Sequence, residues 1–350
     1  MKTVKLGSSG LAVSRVCLGS MTWGLQNNQA DANEQIDYAR AQGVNFIDTA
    51  EMYAVPPSKD TYGKTESIIG NWLAAKPSRR EDIVLATKIA GPGLSYIRQG
   101  SAISGKAVIQ AVEDSLKRLQ TDYIDLYQLH WANRNSPHFG QHWPGSAIHQ
   151  GVDTAKQTEA MLDILQGLDA CVKAGKIRHC GLSNETPWGL NQYLRLSEQH
   201  NLPRMVSMQN EFSLLHSKDW PHLIENCVFD DVAYLPWSPL AGGVLTGKYI
   251  DGARPQGSRW SFIQRNGLFR DTPSTNAAVK AYADLAQQHG ISTTELALGW
   301  CDQINGITST IIGATTMTQL KQNIAAFKQP LSAAVMTDLQ QLLKQHPMPF

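Results

Sequence analysis

A repeated rhythm constrains this chain more than any other feature: a short apolar, strand-like run followed by helical periodicity, eight times over. The strand-like runs fall at 16–19, 44–49, 83–87, 123–129, 177–182, 206–209, 232–237 and 309–312. Helical patterns occupy 31–42, 65–75, 104–119, 158–174, 187–200, 220–226, 275–289, 293–302, 318–327 and 332–345, and a hairpin over 4–13 precedes them all. Strands alternating with helices predict an α/β fold with a parallel sheet covered by helices. Eight units favour closure into a (β/α)8 TIM barrel, here with an N-terminal β-hairpin and extra C-terminal helices. An open dinucleotide-binding sheet would carry Gly-x-Gly-x-x-Gly between a strand and a helix, and no strand here is followed by it. Residues 132–157 and 251–274 break the rhythm after strands, which predicts long loops on the C-terminal face, where barrel active sites lie. No linker, repeat or low-complexity stretch interrupts the chain, so a single domain over 1–350 is expected.

Composition narrows the function. Lys and Arg number 31 against 30 Asp and Glu, with no basic stripe or acidic tail, so neither nucleic acid nor a membrane surface is an expected partner. No apolar run approaches the roughly 18 residues that a membrane helix needs. The five cysteines form no Cys-x-x-Cys pair, which argues against a disulfide framework and for a reducing, cytoplasmic setting. His138, His142 and His149 stand among Pro137, Gly140, Pro144 and Gly145. That setting does not present histidines from one helix, and no metal is expected.

Asp48, Lys88 and His130 each end a strand-like run, and Tyr53 follows in the next loop. Ionisable residues at the C-terminal ends of three strands point to one barrel mouth. Singly, a lysine at a strand end is usually a solvated charge and a histidine a structural residue. Together the four suit carbonyl reduction, which needs a hydride on carbon and a proton on oxygen. A phenol with an ordinary pKa of about 10 is a poor acid, and a buried ammonium beside it should lower that value. Lys88 is expected to do so for Tyr53, Asp48 to keep Lys88 charged, and His130 to hydrogen-bond the carbonyl oxygen.

In order and context these four residues resemble the catalytic tetrad of the aldo-keto reductase superfamily. Phe46-Ile47-Asp48-Thr49-Ala50-Glu51-Met52-Tyr53, Gly63-Lys64-Thr65-Glu66-Ser67-Ile68-Ile69-Gly70 and Gly181-Leu182-Ser183-Asn184 are similar to its motifs, as is the stretch from Ser115 to Leu126. The likeness runs over about residues 6–323 and is strongest to the bacterial Tas-type branch. It implies NADP(H) lying extended across the barrel mouth and a small carbonyl substrate. By resemblance, Ser183, Asn184 and Gln209 hold the carboxamide, and Trp237 stacks on the nicotinamide. Ser238, Pro239, Leu240 and Gly242, with Gly247 and Lys248, pass along the pyrophosphate. Gly313, Thr315, Gln319 and Asn323 clamp the adenosine phosphate. Many members have lysine and arginine where Gly313 and Gln319 stand; Arg259 is expected to supply that charge, while Arg254, Arg265 and Arg270 read as solvated loop residues. Trp23, Trp131 and Trp143 are expected to shape the substrate pocket with Tyr53 and His130. Potassium-channel β-subunits, which hold NADPH as regulatory partners, give the alternative reading; they lack the tetrad histidine that His130 supplies here.

Overall fold

The computed structural model describes residues 1–145, 149–261 and 268–348. Among these residues there are ten strands: β1 (Thr3–Lys5), β2 (Ala12–Ser14), β3 (Val16–Gly19), β4 (Phe46–Asp48), β5 (Val84–Ile89), β6 (Ile124–Leu129), β7 (Ile177–Ser183), β8 (Met205–Gln209), β9 (Ala233–Tyr234) and β10 (Thr310–Ile312). β1 and β2 form an antiparallel hairpin. The other eight make one sheet in the order β10-β3-β4-β5-β6-β7-β8-β9, parallel throughout. The ends meet: Thr308 N donates to Tyr234 O and Ile311 N to Pro236 O, each at 2.9 Å. The expected barrel is therefore present and closed.

Around it run α1 (Gln29–Ala41), α2 (Lys64–Ala74), α3 (Gly105–Leu119), α4 (Thr154–Lys173), α5 (Pro187–His200), α6 (His222–Phe229), α7 (Pro273–Gln288), α8 (Thr293–Gln303), α9 (Met317–Ala325) and α10 (Ala333–Gln345). Two boundaries differ instructively from expectation. The strand read over 232–237 shrinks to β9, because Pro236 has no N–H for the ladder and offers only its carbonyl to Ile311. α4 starts four residues early, because Asp153 accepts from Lys156 N and caps it. Among the described residues no helix is long and apolar enough to cross a membrane.

Alternation along the strands builds two cores. Leu18, Ile47, Leu85 and Tyr127 face the helices, while Cys17, Phe46, Ala86 and Leu126 fill the barrel. The hairpin plugs the N-terminal end: Ser8 N donates to Asp231 O at 2.8 Å, and a Cβ on Gly7 (φ +49°) would lie 2.6 Å from Val206 O. The same two-residue period places Asp48, Lys88 and Gln128 one layer above Phe46, Ala86 and Leu126, at the open end.

Candidate active site

Asp48 and Lys88 are 2% and 0% exposed. Two charges so deep in the barrel are tolerable only when paired and fully hydrogen-bonded. Lys88 Nζ donates to Asp48 Oδ2 at 2.6 Å and to Thr49 O at 2.8 Å. Asp48 Oδ1 accepts from Gln128 Nε2 at 3.1 Å and Gln209 Nε2 at 2.9 Å, and Gln209 Nε2 also reaches Gln128 Oε1 at 3.1 Å. Gln128 escaped the reading of the sequence. Its signal was a polar side chain inside an apolar strand, two residues before His130 and so on the same face.

Tyr53 and His130 stand above this floor, and both line the cleft. Lys88 Nζ lies 5.2 Å from the Tyr53 ring centroid. The Tyr53 and His130 rings meet edge-on at 5.7 Å, and Trp131 packs on His130 at 5.1 Å. Burial would lower Lys88, but Asp48 and Tyr53 outweigh it and hold the ammonium above its ordinary value. For Tyr53 the balance runs against expectation. Burial raises the phenol, Lys88 pulls it down, and the net shift is upward. The lost hydration of a phenolate exceeds what one ammonium, already shared with a carboxylate, returns. Burial and then Lys88 hold His130 well below its ordinary range, so the imidazole is neutral at physiological pH, with Nδ1 buried and unpartnered.

The loop carrying Tyr53 is anchored by Glu51, fully buried. It accepts from Ala90 N at 2.7 Å, Arg98 Nη1 at 3.0 Å and the Tyr62 hydroxyl at 3.3 Å. This ties the loop after β4 to the end of β5, where Lys88 sits.

A cleft of about 1690 Å³ crosses the barrel mouth. Asp48, Ser183, Asn184, Gln209, Trp237, Ser238, Pro239, Leu240 and Gly242 line it, as do Lys248, Arg259, Gly313, Thr315, Gln319 and Asn323. Ser183 Oγ donates to Gln209 O at 2.8 Å, and Asn184 Nδ2 donates to His130 O at 2.9 Å. Asn184 Oδ1 and Trp237 Nε1 remain buried without partners. Gly242 and Gly243 form a turn at φ +70° and +95°, with Gly242 N donating to Ser238 Oγ at 3.1 Å. A Cβ on Gly243 would lie 2.8 Å from Lys248 Nζ. At the far end Thr315 N donates to Gln319 Oε1 at 2.9 Å, and Asn323 Nδ2 to Gly313 O at 3.0 Å.

Several expectations need correction. Trp23 is fully buried and donates to Gln35 Oε1 at 2.9 Å, so it belongs to the core and not to the substrate pocket. Trp143 is half-exposed and does not line the cleft; Phe139, stacked on Trp237 at 6.2 Å, lines it. Gly247 does not line the cleft either, though its neighbours Thr246 and Lys248 do. Arg259 rests against Met21 (3.7 Å to Sδ) and Gly242, while nothing lies within 4 Å of a Cβ built on Gly313. Arg270 is no solvated loop residue: it is buried and donates through Nε to Glu211 Oε1 at 3.0 Å. Glu211 sits below its ordinary range, since Arg270 outweighs the burial that would raise it. Arg254 pairs with Asp271 at the surface, as a loop charge does. Arg265 lies outside the described residues.

Comparison with known proteins agrees with this geometry. Residues 15–344 match the aldo/keto reductase family. The chain is 42% identical to Protein tas of Escherichia coli (strain K12) over 346 residues, 97% of each chain. It is 30% identical to the uncharacterized oxidoreductase YrpG of Bacillus subtilis (strain 168) over 342 residues, 96% of this chain and 94% of that one. An aldo-keto reductase of Babesia bovis is 36% identical over 252 residues, 69% of this chain and 88% of its own. Matched along nearly its whole length, the chain belongs to the aldo/keto reductase family, oxidoreductases that generally use nicotinamide dinucleotides on small carbonyl compounds.

Proposed function

We propose that this chain is a single-domain, cytoplasmic reductase that uses NADP(H) to convert aldehydes or ketones to alcohols, with Tyr53 as the acid. The observation that carries the reading is the buried Lys88–Asp48 pair directly beneath Tyr53, with a neutral His130 across from it. The five cysteines are free thiols in the core, which suits a reducing compartment.

The cleft suits an extended dinucleotide. Asn184 Oδ1 is a buried acceptor lacking a donor, as a carboxamide would supply, and Trp237 offers a ring face beside it. Lys248 and Arg259 have no carboxylate within 4 Å among the described residues, and both border the Gly242–Gly243 turn. Two cations without a carboxylate, beside a glycine turn that lets the backbone come close, suit a pyrophosphate. Gly313, Thr315, Gln319 and Asn323 would hold the adenosine end.

A bound reduced nicotinamide supplies the hydride that reaches the carbonyl carbon. Tyr53 donates its hydroxyl proton to the carbonyl oxygen as that bond forms, which completes the alcohol, and later recovers a proton from water. Its raised pKa keeps the phenol protonated until the oxygen becomes basic. Lys88 then stabilises the phenolate, and Asp48 keeps Lys88 charged and aimed. A neutral His130 can donate an N–H to the same oxygen without competing as an acid. Tyr53→Phe should cut NADPH-dependent reduction of small aldehydes by about 10²–10⁴-fold while dinucleotide binding, read by tryptophan fluorescence, persists. An unchanged rate would remove Tyr53 from the mechanism.

A further inference from the structure

Among the described residues, the substrate half of the cleft is rich in arginine yet offers no spare charge. Arg134 follows β6 and lines the cleft. It donates to both carboxylate oxygens of Glu185, one at 2.9 Å, and to Thr186 Oγ1 at 3.0 Å. Arg270, also on the wall, is held twice by Glu211, through Nε at 3.0 Å. The carboxylates of Glu185 and Glu211 are 3% and 4% exposed. Lys88 is spent on Asp48 in the same way. The imidazoles on this wall add no charge at neutral pH, because burial holds His130 and His138 well below their ordinary values. Lys248 and Arg259, the cleft cations without a carboxylate, border the glycine turn and are assigned above to the dinucleotide's phosphates.

We infer that this half of the cleft is built against negative charge, so that the carbonyl compound it takes is neutral and largely apolar. An anionic substrate would have to draw a guanidinium from a buried carboxylate, leaving that carboxylate unpaired, or enter with its own charge uncompensated. The apolar surfaces open to the substrate body are Met21, Val55, Pro92, Trp131 and Phe139, beside polar but uncharged groups such as Gln141. The paired arginines have another task. Each joins two loops of the mouth, Arg134 linking the loop after β6 to that after β7, and Arg270 linking the loop after β9 to that after β8. The inference rests on the reductase reading above.

The test is a matched pair, benzaldehyde and 4-carboxybenzaldehyde, compared by kcat/KM at neutral pH and saturating NADPH. The neutral aldehyde should be favoured by at least about tenfold, since the site gives the carboxylate no partner. Glu185→Gln frees the Arg134 charge and should shift the ratio toward the carboxylated aldehyde by roughly fivefold or more. Arg134→Gln leaves Glu185 negative beside the cleft and should shift it the opposite way, so the two variants check each other if one folds poorly. Equal or better use of 4-carboxybenzaldehyde by the unaltered protein overturns the inference, as does a ratio that neither variant moves. Failure to oxidise NADPH with either aldehyde would instead bring down the reductase reading, and this inference with it.

Discussion

Gln128 donates to Asp48 at 3.1 Å, and the same carboxylate oxygen orients a second amide, that of Gln209, at 2.9 Å. A carboxylate paired with an ammonium only accepts, so the side chains of Gln128 and Gln209 both turn their NH2 groups toward it. The second N–H of Gln209 is taken by Gln128 Oε1. Gln209 is left to present its carbonyl oxygen to the cleft, beside the unpartnered Asn184 Oδ1. The proton side and the cofactor side of the site are thereby joined through one residue.

Gln128→Leu should therefore do two things at once. Asp48 loses a donor, and Gln209 loses the acceptor of its second N–H and keeps only its bond to Asp48. A hydrogen bond to a charged group contributes about 1.5–3 kcal/mol, so kcat should fall by roughly tenfold or more, with weaker dinucleotide binding in a fluorescence titration. Normal values for both would show that the contact merely fills space.

Lys88→Met should destabilise the fold as well as abolish turnover. It leaves Asp48 buried without a counter-charge, and breaking a buried pair from one side costs about 3–5 kcal/mol. Thermal denaturation should show a clear drop in Tm. Arginine should not rescue it, because Lys88 is wholly enclosed and a planar guanidinium does not fit where a compact ammonium donates to Asp48 and Thr49.

Acid should weaken the fold well before its carboxylates titrate. His216 is held down to about 4, mainly by burial, while His130 and His138 lie well below their ordinary range. The unfolded chain takes up these protons near pH 6.5 and the folded chain does not. Their contribution is therefore complete above about pH 6.5 and is lost as pH falls. For His216 the loss amounts to about 3 kcal/mol by about pH 4. Glu211, lowered by Arg270, adds a loss of the same sign at lower pH. A Tm that stays level from about pH 7 to about pH 5 would contradict this.

Lys248→Ala and Arg259→Ala should each weaken NADPH binding by about 10–100-fold, the value of a hydrogen bond to a charged group. Both variants should also flatten the dependence of affinity on ionic strength. If Arg259 contributes through the glycine turn, its loss should weaken NADH binding as well as NADPH binding. An effect confined to NADPH would instead place it on the 2′-phosphate.

Local chain chemistry alone determined the barrel and the four residues at its mouth. Apolar runs of period two, separated by helical segments, leave few ways to bury both faces of a sheet, and ionisable groups at the ends of such strands can emerge only at one end. Other features depended on which distant residues face one another. Gln209 and Asp48 stand 161 positions apart, and their contact follows from strand register and closure. Arg270 reads as a loop charge until Glu211, 59 positions away, is found beside it in the core. Trp23 reads as a pocket wall until α1 covers it and Gln35 takes its N–H. The pattern along a chain says which face a side chain takes. Its partner, and hence whether its charge is spent or available, is settled only when the sheet closes and the loops pack over it.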